Sequence, residues 1–261
     1  MTNSAASPAP VRIRIPVFGL PVDAVPLRAA ARQALSWAAR GESRAVCAAN
    51  AHMVVEARRD AALQTAVAAA DLATADGWPV AYIMRRFGKV AQRRASGPDL
   101  TRLLFAGAVR LNIPVGFYGA TEATLAALQA VALRRHPRLN IVFAHAPPFR
   151  LLTPDETTAD AARINASGAR LLFVGLGCPK QELWMAVNRG QIQTVMLGVG
   201  AAFDFLAGKK SRAPSWMRAI GLEWLHRLLS EPGRLWRRYL VDGAIFVRLY
   251  LSALLRGSAS S

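Results

Sequence analysis

From residue 45 to residue 199 the chain alternates short apolar runs with longer amphipathic stretches. The runs at 45–48, 72–75, 115–118, 141–144, 171–174 and 195–199 read as strands, and the segments at 51–69, 78–87, 98–111, 121–135, 154–167 and 181–188 read as helices. Strands alternating with helices predict an α/β fold: a Rossmann-like, mostly parallel sheet with helices on both faces. The helix at 154 carries a complete start signal, with Thr153 as N-cap, Pro154 in the first turn and Glu156 three residues after the cap. The last two strands end in Gly175, Gly177, Gly198 and Gly200. Ligands of such sheets sit at the carboxyl ends of the strands, and a missing Cβ lets backbone N–H groups approach a phosphate or a base. GLG and GVG also occur at ordinary tight turns, so the glycines alone leave both readings open.

The αβ pattern stops near 209–214. Four segments are expected: a disordered leader (1–10), the α/β core (11–208), a basic, amphipathic helical appendage (209–256) and a disordered tail (257–261). On a wheel of about 100° per residue, Arg234, Arg237, Arg238, Arg248 and Arg256 share one face. Trp236, Tyr239, Leu240, Phe246, Val247, Tyr250 and Leu254 share the other. A helix packed on the core with a solvated basic side would give this pattern. The clustering of arginines with tryptophans and tyrosines favours a helix lying on an anionic membrane surface.

Charge strengthens that picture. The 261 residues carry a formal net charge of +17, and Lys209–Ser261 holds ten Lys/Arg against Glu223, Glu231 and Asp242. Nucleic acid, an anionic lipid surface or phosphate-bearing substrates would each satisfy such a balance. Cys47 and Cys178 form no disulfide framework or metal spacing, which suits a reducing cytoplasm. The first ten residues lack the basic and apolar regions of a signal peptide. The best spanning candidate, 240–255, is interrupted by Asp242 and Arg248. Peripheral association with the inner face of the plasma membrane is therefore expected.

Asp76 follows the apolar strand at 72–75 and precedes Gly77, so its carboxylate stands at a strand's carboxyl end. That suits a general base, although an Asp-Gly turn or a helix N-cap has the same sequence. The stretch Gly116–Thr121, GFYGAT, joins a strand to a helix as nucleotide-phosphate loops do. His52, alone in its segment, reads as a structural or wall residue. No Asp-x-Asp motif and no histidine cluster occurs, so metal independence and no cofactor are expected, with cations and backbone donors stabilising any leaving group.

GLGCPKQELW (175–184) and GVGAAFDFLAGKKSRAPSWMRAIGLEWLHRLLSEPGRLWRRYL (198–240) resemble the signature half of the WecG/TagA/CpsF glycosyltransferases. AANAHMVVEARRD (48–60), ADLATADGWPVAYIMRRFG (70–88), RRASGPDL (93–100) and VGFYGATEATLAALQAVALRRHP (115–137) resemble the family's other blocks in the same order. The resemblance implies transfer of a sugar from a UDP-sugar donor to a polyprenyl-diphosphate-linked saccharide. It assigns Asp76 as the base and Asn50 to the sugar or acceptor hydroxyl. Ala48 replaces a threonine found in many relatives, which leaves the transferred sugar open. Arg94, with Arg93 as its alternative, matches a basic position, and Gly119, Ala120 and Thr121 match an edge of the donor pocket. HAPPF at 145–149 resembles a proline-bearing subset. Pro179, Lys180, Gln181 and Glu182 are assigned to donor sugar and diphosphate; for Glu182, a favourable place at a helix N-terminus is an equal explanation. Asp204 suits a uracil N–H or a ribose hydroxyl. Arg212, foremost, and Arg218, Arg227, Arg237 and Arg238 suit the acceptor's lipid diphosphate.

Two other classes remain to be weighed. A nucleic-acid-binding module would interleave aromatics with basic residues, and here they separate, so no nucleic-acid partner is expected. A nicotinamide-dependent dehydrogenase would need a GxGxxG fingerprint after an early strand, which is missing. Homo-oligomerisation stays open.

Overall fold

The six runs read as strands pair into one sheet: five are buried along most of their length, as largely apolar strands covered on both faces must be, and the run at 141–144 is only partly buried. The computed structural model describes residues 12–200 and 202–259; the leader at 1–10 and residues 260–261 of the tail lie outside them. In chain order the elements are β1 (Arg14–Val17), β2 (Leu20–Asp23), α1 (Leu27–Ala39), β3 (Arg44–Ala49), α2 (Ala51–Ala57), α3 (Ala61–Ala69), β4 (Leu72–Ala75), α4 (Trp78–Gly88), α5 (Gly97–Leu111), β5 (Val115–Gly119) and α6 (Glu122–Arg135). They continue with β6 (Ile141–His145), α7 (Pro154–Ser167), β7 (Leu171–Gly175), α8 (Lys180–Asn188), β8 (Val195–Gly198) and α9 (Ala202–Leu206). Last come α10 (Ser215–Ala219), α11 (Glu223–Ser230), α12 (Pro232–Trp236), a π-helical turn (Arg237–Val241) and α13 (Asp242–Arg256). The sheet order is β4-β3-β8-β7-β5-β6, with every pair parallel.

One apolar layer packs α1, α5, α6 and α9 on the sheet; the opposite layer packs α2, α3, α4, α7, α8 and α13, together with the β1–β2 hairpin. The expected α/β architecture is therefore present. Two local differences have physical causes. The segment 51–69 divides because Asp60 caps a second helix, accepting from the Ala62 and Leu63 N–H groups. The hairpin β1–β2 turns through Phe18 and Gly19, both at positive φ (50° and 88°), without the Asn-Gly or Asp-Gly that usually marks such a turn. At α7 the capping box forms as read, with Glu156 N–H donating to Thr153 Oγ1 and Thr153 N–H to Glu156 Oε2.

The C-terminal segment departs most from its wheel. The π turn adds a residue to one turn of helix and so advances the following side chains by about 100°. Phe246 and Ala253 face the core, while Val247, Leu251 and Leu255 stay exposed. Arg237 lies on the surface over Trp236, whereas Arg238, on the same face of the wheel, turns inward and donates to Asn50 Oδ1 (3.4 Å). The segment is tied to the core by α13 lying on α2, by Phe246 edge-on to Phe18 (5.2 Å), and by a hydrogen bond between the Tyr250 and Tyr82 hydroxyls (3.1 Å). Order extends into the tail: Ala259 is buried and its carbonyl accepts from Phe18 N–H (2.9 Å). Among the described residues, no helix is long and apolar enough to cross a membrane.

Candidate active site

Adjacent strands β3 and β8 send their connections to opposite faces, β3 into α2 and β8 into α9. Such divergence opens a crevice at the carboxyl ends of the strands. Asn50 stands at the end of β3, Asp76 at the end of β4, and the glycines of β8, β7 and β5 line the other side.

Gly119 is required by close approach: a Cβ there would lie 2.7 Å from the Gly175 carbonyl carbon. Gly177 has open space around its Cβ position and φ of 81°, so its glycine serves backbone conformation beside the crevice. Gln181 joins the loops. Its Oε1 accepts from Gly177 N–H (3.2 Å) and Gly200 N–H (3.1 Å), and its Nε2 donates to Glu182 Oε1 (2.7 Å). Both side chains are buried. Burial pushes the Glu182 pKa up to about 7 against the lowering effect of the Gln181 hydrogen bond, and Glu182 Oε2 has no partner among the described residues. Lys180 is exposed at the start of α8, after Pro179. Thr121 caps α6, accepting from Thr124 N–H (3.2 Å), and Lys209 reaches the neighbouring Thr124 hydroxyl (2.9 Å). Asp204 pairs with Lys210 (2.8 Å), which also holds Glu231 (2.9 Å).

The β3–β4 side is built from charge. Asn50 caps α2, its Oδ1 accepting from Met53 N–H (3.1 Å) and from Arg238 Nη2 (3.4 Å). Asp76 is fixed through its backbone, N–H to Ala49 carbonyl (2.8 Å), while its carboxylate accepts no hydrogen bond among the described residues. Burial, and then the Glu223 carboxylate, raise its pKa to about 6, although Arg94, Arg227 and Arg238 pull the other way. Arg238 is half-buried and makes no ion pair among the described residues; desolvation lowers its pKa, as does Arg227 nearby. Arg227 lies over the Phe205 ring with its Nε unpartnered, and lines a cleft of about 350 Å³ with Lys209, Lys210, Ser230 and Glu231.

Arg94 and Arg212 do different work from Arg238. Arg94 donates to Glu223 (2.7 Å), and Arg212 donates to Asp99 (2.6 Å) and to Glu223 (3.4 Å). Burial would raise the Asp99 pKa, but hydrogen bonds from Arg212 and Ser96 outweigh it and hold it well below the usual carboxylate range. This network clamps α11 to the start of α5, so Arg212 is already engaged with carboxylates. Glu223 and Arg227 were not singled out for the Asp76 environment by the sequence, because pairing across 129 residues leaves no local pattern. The same holds for His52, Glu56 and Asp242, whose ligand atoms lie within 4.8 Å of one another. Arg59 bonds both Glu56 (2.7 Å) and Asp242 (3.1 Å), supplying the positive charge a cation would bring.

The arrangement thus offers a carboxylate at a strand end, arginines whose charge acts on it, and a glycine-lined rim opposite. Residues 15–260 of the chain match the sequence model described as the Glycosyl transferase WecG/TagA/CpsF family.

Proposed function

The chain belongs to the WecG/TagA/CpsF glycosyltransferase family, and on that premise we propose that it is an inverting, metal-independent transferase moving a sugar from a UDP donor to an undecaprenyl-diphosphate-linked saccharide. Membership makes it a glycosyltransferase of cell-surface polysaccharide biosynthesis, with a sugar-nucleotide donor and a lipid-linked acceptor. The finer reading rests on Asp76. A carboxylate at a strand end, free of side-chain donors among the described residues and raised to about 6, is a stronger base than an ordinary aspartate yet mostly ionised at neutral pH.

In this reading the acceptor hydroxyl attacks the anomeric carbon while its proton passes to the Asp76 carboxylate. The bond between that carbon and the diphosphate oxygen breaks, and its electron pair leaves with UDP. Asn50 positions the sugar or acceptor, and the rim of Gly119, Thr121, Gly175, Gly177 and Gly200 receives the donor, supported by Gln181 and Glu182. Arg227 and Arg238 offset the diphosphate charge, and Arg237 lies at the surface for the lipid headgroup. The exposed Trp216, Ile220, Trp224 and Leu229, with the local basic excess, support a membrane-surface location on the cytoplasmic side.

Asp76→Asn is expected to abolish transfer, by about 10³-fold or more, while UDP still binds by calorimetry. Turnover near the wild-type rate would remove the base assignment.

A further inference from the structure

Arg238 is a half-buried guanidinium without a carboxylate partner among the described residues, and an unpaired charge partly withdrawn from water is costly unless other contacts hold it in place. What determines it lies four residues on. Asp242 N–H closes the π turn onto the Arg237 carbonyl, and the buried Asp242 carboxylate is fully used: Oδ2 accepts from His52 Nδ1–H (2.7 Å) and Oδ1 from Arg59 Nη1 (3.1 Å). Glu56, one helical turn after His52, steadies Arg59 (2.7 Å). Burial and the Arg238 charge both lower the His52 pKa, which favours the neutral ring that donates through Nδ1. The helix that grips Asp242 is α2, and α2 is the helix capped by Asn50. The second polar tie of α13, Tyr250 to Tyr82, is to α4, which begins two residues after Asp76. Thus α13 is fastened to the helices that follow both chemical strand ends.

We propose that Asp242 is a positioning residue of the transfer reaction: gripped by His52 and Arg59, it seats the π turn so that Arg238 faces Asn50 and Asp76. Without that grip, the turn relaxes toward an ordinary α-turn and rotates Arg238 away by about 100°. The assignment rests on Asp76 being the reacting carboxylate, but its sign can be read without turnover. The charged groups facing Asp76 are Glu223 and Arg227 from α11, Arg94 from the segment before α5, and Arg238 from the π turn. Of these, Arg238 is the one carried by the π turn that Asp242 closes.

The test compares Asp242→Ala, Arg238→Met and the double variant. The Asp76 carboxyl is titrated by carbon-13 NMR in aspartate-labelled protein, its signal assigned by its loss in Asp76→Asn. Each single variant should raise the titration midpoint from about 6 by roughly half to one pH unit and lower kcat about 10-fold. The double variant should move it no further. If Asp242→Ala fails to fold, Asp242→Asn and Arg59→Ala should give smaller shifts in the same direction. An unchanged midpoint in a folded Asp242 variant, or additive shifts in the double variant, would overturn the proposal. Undiminished turnover by Asp76→Asn would instead refute the base assignment, leaving the midpoint shift to judge the grip on its own.

Discussion

The two sides of the crevice are made in opposite ways. The β7–β8 side is satisfied from within: one amide, Gln181, bonds both glycine loops and its neighbour Glu182. The β3–β4 side is left electrostatically open: among the described residues, the Asp76 carboxylate has no hydrogen-bond donor and Arg238 no carboxylate partner. The first side is local, drawn from residues 175–200. The second is assembled from segments separated by up to 190 residues. A surface for holding a common nucleotide can be built from backbone, whereas a site that must change charge during reaction needs groups held short of neutralising one another.

The sharpest break of this contrast is Asp76→Asn. Beyond its loss of activity, it should stabilise the fold at pH 7.5. The folded state holds the Asp76 proton up to about pH 6 and the unfolded chain only to about 4. Native stability therefore falls as pH rises through that window, and the variant escapes the loss, by on the order of 1–2 kcal/mol. Denaturant melts at pH 7.5 and 4 should show the gain only at the higher pH. On the other side, Gln181→Leu should do the reverse and cost stability, about 1–2 kcal/mol for the part-buried Gly177 and Gly200 N–H groups, the second of which keeps only a long bond to the Val174 carbonyl (3.4 Å), together with an increase of about 10-fold in donor KM. An effect on kcat alone would place Gln181 with the chemistry. Glu223→Gln tests whether the open side is tuned by its acidic neighbour: the acid limb of kcat/KM should move below about 6, opposite in sign to loss of Arg238. The smallest expected effect is that of Glu182→Gln. Its folded pKa of about 7 exceeds the unfolded value, so the variant should gain on the order of 1 kcal/mol at pH 8 and nothing at pH 4.

The contrast also sorts what could be read from sequence. Each strand of the large sheet was placed within a residue or two, and Asp76, Asn50 and the glycines fell at strand ends, because period and chain punctuation are local properties. Helix α1 was not read from the sequence, although Ala30, Ala31, Ala34, Leu35 and Ala38 are buried on one face. The hairpin β1–β2 was harder, since Phe18 adopts a positive φ that its side chain does not advertise. Partners escaped entirely. That Arg212 would engage Asp99, that Lys210 would tie Asp204, and that Arg238 alone would turn inward depend on tertiary geometry and on a π turn, for which a 100° wheel has no term.

The grip of residues 52 and 59 on Asp242 also has a consequence for the order in which the molecule is made. Synthesis delivers Asp76 and the whole glycine rim long before the segment that shapes their charge, and contacts of such high sequence separation form late. A nascent chain that has emerged only as far as β8 holds the strands of the sheet, but its Asp76 faces neither Glu223 nor Arg227 and Arg238. On the proposed reading, competence for transfer should therefore appear only once the chain has passed residue 242.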